Sequence, residues 1–124
     1  MDPTTFYAEE TYRSPPHVIS ERLLDPRRTR RFGRQMAAPG VATAEYEQRT
    51  ANVVGTRIRV TRKDGSSYVE EIIEWEPETH VAMEVKDFSA SMASAGYRFK
   101  ESWDFERIGD KTKVCRSLTA FEQA

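Results

Sequence analysis

The chain has 124 residues, 38% hydrophobic and 31% charged, with 19 basic against 20 acidic side chains. That length suits one domain with a core of its own, so residues 1–124 read as a single unit. The near-balance of charge disfavours a dedicated nucleic-acid binder, and one cysteine, Cys115, leaves no intramolecular disulfide to form.

No apolar run approaches the roughly 20 residues of a membrane span, so stable membrane insertion is not expected. Met1-Asp2-Pro3-Thr4-Thr5 has neither a basic nor an apolar leader region, and the expected location is cytoplasmic. Residues 5–13 alternate and predict a strand, with Phe6, Ala8, Glu10 and Tyr12 on one side. Ser14-Pro15-Pro16 predicts a helix start, with Ser14 as N-cap and proline in the first turn. Ile19 and Leu23 lie four apart on that helix and share its apolar face. Asp25-Pro26 repeats the signal and predicts a second short helix towards Phe32, ended by Gly33. Residues 35–41 read as loop, with Pro39-Gly40 as the turn.

From Ala42 onward the period is two, predicting strands near 43–50, 55–62, 67–75, 81–88, 96–107 and 112–121. Asp64-Gly65 predicts a two-residue type I′ hairpin, with Val60 opposite Val69, Ile58 opposite Glu71, and Arg59 meeting Glu70 on the other face. Gly109-Asp110 predicts a second, pairing Phe105 with Val114, Trp103 with Arg116, Glu101 with Leu118 and Phe99 with Ala120. Tyr97, Phe99, Trp103, Phe105, Val114 and Leu118 then share one face, while Arg98, Lys100, Asp104 and Glu106 share the other. Ile58, Val60, Val69, Ile73 and Trp75 make a second apolar row, and Val81, Met83 and Val85 a third. The expected architecture is an antiparallel sheet with one wet face and one that must be covered. Two short helices cover only part of it.

The order of these segments resembles the START-like, or SRPBCC, superfamily, which includes polyketide cyclases, Aha1-like domains and lipid-transfer proteins. The resemblance is carried by Ser14-Pro15-Pro16-His17-Val18-Ile19, Leu23-Leu24-Asp25-Pro26, Gly55-Thr56-Arg57-Ile58 and Glu74-Trp75-Glu76-Pro77-Glu78. Its most specific stretch is Glu101-Ser102-Trp103-Asp104-Phe105-Glu106 followed by Gly109-Asp110-Lys111-Thr112-Lys113-Val114. It spans about residues 5 to 121, and no one motif is diagnostic; their order is. The resemblance implies an α+β helix-grip (START/Bet v 1-like) fold, a curved antiparallel β-sheet with two short N-terminal helices. Members normally continue into a long C-terminal helix across the curved sheet, whereas this sequence stops at Phe121-Glu122-Gln123-Ala124. The expectation is that this helix is missing or truncated. An apolar face left open in that way invites a second copy of the chain or a loosely held hydrophobic compound.

Chemistry concentrates on the apolar face. Alternation puts Glu101 between Phe99 and Trp103, where a carboxylate is costly unless paired, and Arg116 is diagonal to it on the next strand. Glu101 is therefore a structural ion-pair member, a polar anchor for a ligand, or a general acid/base. Glu71 sits likewise between Val69 and Ile73, although its neighbour Glu70 leaves the register open by one residue. Two inward carboxylates would repel and raise one pKa. Arg116 over Trp103 makes a cation–π pair or a flat platform for an aromatic ligand. On the residues alone Trp75, Met83, Tyr97 and Phe99 are a core row; the resemblance makes them pocket wall.

Elsewhere the signals are weaker. Arg27-Arg28-Thr29-Arg30-Arg31 is either a solvated helix face or an anion or partner surface. His17 and His80 are not in metal spacing, so no metal is expected. No phosphate-cradling glycine motif or nucleophile motif occurs, and no cofactor is implied. The small, weakly polar stretch Phe88–Gly96 reads either as a loop gating a cavity mouth or as two strand ends continued into a wide hairpin.

The leading expectation is a site for a small hydrophobic or amphipathic molecule on the concave face, with Ile58, Glu71, Ile73, Trp75, Met83, Tyr97, Phe99, Glu101, Trp103 and Arg116 as its lining. The resemblance implies a lipid, polyketide, isoprenoid or aromatic ligand. The alternatives are a cyclase/dehydratase-like enzyme using Glu101 or Glu71 with Arg116, and an Aha1-like protein-interaction module working through the sheet or the arginine segment. A homodimer through the uncovered face is a further expected partner.

Overall fold

The computed structural model describes residues 5–26, 41–89 and 97–122, with Thr5, Phe6, Val41, Tyr97, Phe121 and Glu122 described in backbone only. Seven strands form one antiparallel sheet: β1 (Thr5–Tyr12), β2 (Val41–Gln48), β3 (Arg57–Arg62), β4 (Ser67–Glu76), β5 (His80–Lys86), β6 (Tyr97–Ile108) and β7 (Lys111–Glu122). Their order across the sheet is β1-β7-β6-β5-β4-β3-β2. From β2 on, every strand pairs with its successor, and β1 closes the far side on β7. Among the described residues one helix, α1 (Pro16–Leu23), lies between β1 and β2 in the chain. Beyond Pro26, the second helix predicted towards Phe32 and the Pro39-Gly40 turn lie outside the described residues, as does most of the 89–96 loop.

The start of α1 differs from expectation. Its N-cap is Pro15, no side chain caps it, and proline occupies the first helical position. Pro15 has extended backbone and accepts the first helical hydrogen bonds from Val18 and Ile19. Ser14 instead offers its carbonyl to the Thr112 hydroxyl at 2.7 Å, which pins the β1–α1 corner to β7. Ile19 and Leu23 face the sheet as the spacing predicts, and the buried Ser20 hydroxyl donates to the Pro77 carbonyl at 2.7 Å. Beyond the helix, the Tyr46 hydroxyl donates to the Leu24 carbonyl, tying β2 to the helix end.

The two predicted hairpins behave differently. Gly109 has φ +64 and the β6–β7 register is the predicted one, Phe105 opposite Val114 and Glu101 opposite Leu118. Only Gly109 of its two central residues has positive φ, so the turn is of the II′ rather than the I′ kind. At β3–β4 the loop holds three residues, not two. Gly65 N–H donates to the Arg62 carbonyl at 3.0 Å and Arg62 N–H to the Ser66 carbonyl at 2.8 Å, with Gly65 at φ +89. That is a type I turn followed by a left-handed glycine. The Asp64 carboxylate holds it by accepting from both the N–H and the hydroxyl of Ser66, at 2.9 and 2.6 Å.

The extra loop residue slips β4 by one. Ile58 is opposite Glu70 and Arg57 opposite Glu71, where the sequence predicted Ile58 opposite Glu71. Tyr68, Glu70 and Ile72 therefore face the helix side, and Val69 and Glu71 the other. A bulge between Ile72 and Glu74 then restores the predicted phase, so Trp75 is on the helix side opposite Val81.

Two apolar clusters fill the helix-side face. One joins Ile19 and Leu23 of α1 to Ile72, Val81, Met83, Trp103, Phe105 and Val114, with Val53 and Trp75 packed against it. The other, nearer β2, joins Ile58, Val60, Tyr68, Val85 and Phe88, with Tyr46 and Phe99 beside it.

Candidate functional site on the helix-side face

Glu101 lies at the seam between the clusters. The register runs Ile72–Met83–Glu101–Leu118 across four strands, and the next row runs Ile58–Glu70–Val85–Phe99–Ala120. Two carboxylates thus stand in adjacent rows, two strands apart, on an otherwise apolar surface. Glu70, Glu101 and Arg116 are 7%, 4% and 6% exposed.

Glu101 is held tightly. Its Oε1 accepts from Arg116 Nε at 2.9 Å and from Trp103 Nε1 at 2.8 Å. The spacing explains both bonds. Trp103 is two residues along the same strand face, and Arg116 is directly opposite Trp103 on β7. The guanidinium carbon of Arg116 sits 5.1 Å from the centroid of the Trp103 ring. The predicted ion pair and cation–π pair are thus one unit. A carboxylate and guanidinium removed from water are compensated by each other and by the indole N–H.

Towards β2 the face becomes aromatic. The Tyr68 and Phe88 rings lie 5.7 Å apart, and Phe88 meets Phe99 edge-on at 5.6 Å. Arg62 lies 4.9 Å over the Tyr68 ring. Burial first, and the nearby Glu70 charge next, push the Tyr68 phenol well above its ordinary pKa. It is a neutral hydroxyl throughout the physiological range.

Of the predicted lining, Ile58, Met83, Glu101, Trp103 and Arg116 are buried on this face, and Trp75 and Phe99 are half-buried on it. Glu71 is a correction. The one-residue slip turns it to the opposite face, 3.0 Å from Lys86 Nζ and 3.8 Å from Arg57 Nε. Ile73 is a second correction: it sits in the β4 bulge with no register partner, and Ile72 takes the inward position. Tyr97 opens β6 opposite Glu122, and its side chain lies outside the described ones. Sequence reasoning missed Tyr68, Glu70 and Ile72. Ser66, two residues after Asp64, was the available signal for the longer loop.

The other face carries a charged lattice. Arg57 reaches Asp87 at 2.9 Å and Glu47 at 3.3 Å, while Arg59 reaches Glu47 at 2.7 Å. His80 lies between Asp104, 2.7 Å from Nδ1, and Glu74, 3.2 Å from Nε2, and Glu74 also meets Lys100 at 2.9 Å. Among the described residues no group of three or more His, Cys, Asp or Glu is placed to hold a metal ion. None of their helices is long and apolar enough to cross a membrane.

A family model described as polyketide cyclase / dehydrase and lipid transport matches residues 3–122. A comparison with curated proteins finds no match. Solved structures share the fold at low identity. The major latex-like protein 151 of Panax ginseng is 16% identical with a TM-score of 0.66, over 100% of this chain and 83% of that one. An HSP90 activator from Plasmodium falciparum is 20% identical with a TM-score of 0.63, over 93% of this chain and 71% of that one. The Aha1 dimer from Colwellia psychrerythraea is 14% identical with a TM-score of 0.62, over 98% of this chain and 79% of that one.

Proposed function

The chain belongs to the polyketide cyclase / dehydrase and lipid transport family, and from that premise we propose that its helix-side face binds a small hydrophobic or amphipathic molecule. The observation that carries the reading is the Glu101–Arg116–Trp103 unit. A buried ion pair is often no more stabilising than a well-packed apolar replacement of the same volume. Such a group on an apolar face fits the general make-up of a ligand site, mostly hydrophobic and aromatic with a few convergent polar atoms. Phe99 and Trp75, half-buried on the same face, supply apolar surface that a ligand would finish covering.

Titration with Nile red, whose emission rises and shifts blue in apolar surroundings, tests this. The expected result is saturable binding that weakens at least fivefold in Phe99→Lys, a change at a half-buried position beside the Tyr68–Phe88 cluster. Non-saturable binding, or saturable binding unchanged in that variant, overturns the assignment. Native mass spectrometry of gently purified protein, compared with its denatured mass, then identifies any carried molecule by the mass lost.

No observation gives the cyclase-like or the partner-binding alternative comparable support. The enzyme reading drew on Glu101 or Glu71 with Arg116; Glu71 faces outward, the Glu101 carboxylate is held by Arg116 and Trp103, and the arginine segment at 27–31 lies outside the described residues.

A further inference from the structure

Both hydrogen bonds to the Glu101 carboxylate fall on the same oxygen. Trp103 and Arg116 donate to Oε1, and among the described residues no donor reaches Oε2. Register explains the asymmetry: Trp103 and Arg116 oppose each other, so both donors arrive from the α1 end of the row, and on the other side Glu101 is followed by Phe99. An ionised carboxylate has about four lone-pair sites. Here a strong acceptor, on a side chain 5% exposed, presents to an apolar face one oxygen that no described residue bonds.

Among the described residues, charge on this face balances. The buried or half-buried charged side chains on it, among the described residues, are Arg62, Glu70, Glu101 and Arg116, two of each sign. A ligand that is itself neutral preserves that balance. A ligand carboxylate adds a negative charge beside Oε2, is stripped of its own water, and brings no proton to donate.

We propose that Glu101 Oε2 is the ligand's polar anchor and that the site selects neutral hydroxyl-bearing hydrophobes, alcohols and phenols, over carboxylates of the same skeleton. This deepens, and rests on, the reading of the face as a hydrophobic ligand site. The hydroxyl donates to Oε2, and the apolar body runs along Phe99 towards the Tyr68–Phe88 cluster. Glu101 thereby sets specificity and takes no part in bond making.

Three probes of one skeleton separate the terms: 2-naphthol, 2-methylnaphthalene and 2-naphthoate, titrated calorimetrically at pH 7. The expected order is naphthol tightest, about tenfold over methylnaphthalene as fits a hydrogen bond to a charged group, with naphthoate weakest. In Glu101→Gln/Arg116→Gln, which keeps the net charge of the face, the naphthol advantage falls below about threefold and the penalty on naphthoate shrinks. If that variant does not fold, the ranking on the natural chain decides alone. Naphthoate binding as tightly as naphthol, or naphthol no tighter than methylnaphthalene, overturns the selection and leaves the hydrophobic site standing. Failure of all three to bind overturns the site and the selection together.

Discussion

Glu101 meets Arg116 at 2.9 Å on the helix-side face, and Glu74 meets Lys100 at the same 2.9 Å on the other. The first pair has side chains 5% and 7% exposed, the second 45% and 43%. Equal geometry carries unequal consequences, because water decides the cost of an unmatched charge. Breaking the inner pair leaves a charge that water scarcely reaches; breaking the outer pair hands both groups back to solvent. The inner pair is therefore the one whose loss is felt, and the outer lattice is a set of small, screened contributions.

The largest expected effect breaks the inner pair. Glu101→Gln removes the carboxylate that faces the buried Arg116 guanidinium and lowers unfolding free energy by about 3–5 kcal/mol. In Glu101→Leu/Arg116→Met, which removes both charges, most of that loss is recovered. Urea unfolding of the two variants checks this. A double variant as unstable as the single one would mean that the pair itself, rather than the stranded charge, carries the energy.

A smaller effect tests the turn that sorts β4 residues between the two faces. Gly65 has φ +89, and a Cβ there meets nothing within 4 Å. Gly65→Ala therefore isolates the conformational cost, about 1–2 kcal/mol. The three-residue loop predicts this loss in thermal melts, and an unchanged midpoint would contradict the left-handed glycine.

The smallest effect belongs to the outer face. Hydrogen bonding to Lys100 first, and its charge next, hold the Glu74 carboxyl below its ordinary pKa, and the hydrogen bond from Arg59 does the same for Glu47. A depressed folded-state pKa gives stability that is present above the ordinary glutamate pKa and lost as pH falls through the depressed value. Glu74→Gln thus costs no more than about 0.5 kcal/mol at pH 7. Stability profiles of variant and natural chain should converge below about pH 4. A gap that persists in acid would assign the effect to packing.

The hairpins show what was legible and what was not. Gly109-Asp110 fixed its register from two residues, since the loop held nothing that competed with the tight turn. Asp64-Gly65 reads almost the same in sequence, yet Asp64 finds Ser66 two residues on and binds both its N–H and its hydroxyl. That local bond favours one more loop residue, and the slip exchanges Glu71 for Glu70 and Ile73 for Ile72 on the inner face. Trp75 kept its predicted side only because a bulge cancelled the slip. On β6 and β7, where no bulge intervenes, the Glu101–Arg116–Trp103 unit was readable from alternation alone.

By itself the sequence determined the β6–β7 register, the wet and dry faces of β6 and β7, and the nearness of Glu101, Arg116 and Trp103, because period-two patterning and a tight turn are local facts. Tertiary structure decided which of two adjacent glutamates turns inward, where the β4 bulge falls, and that both donors to Glu101 share one oxygen. Those depend on a one-residue shift worth little locally, which the packing of a whole face against α1 makes decisive.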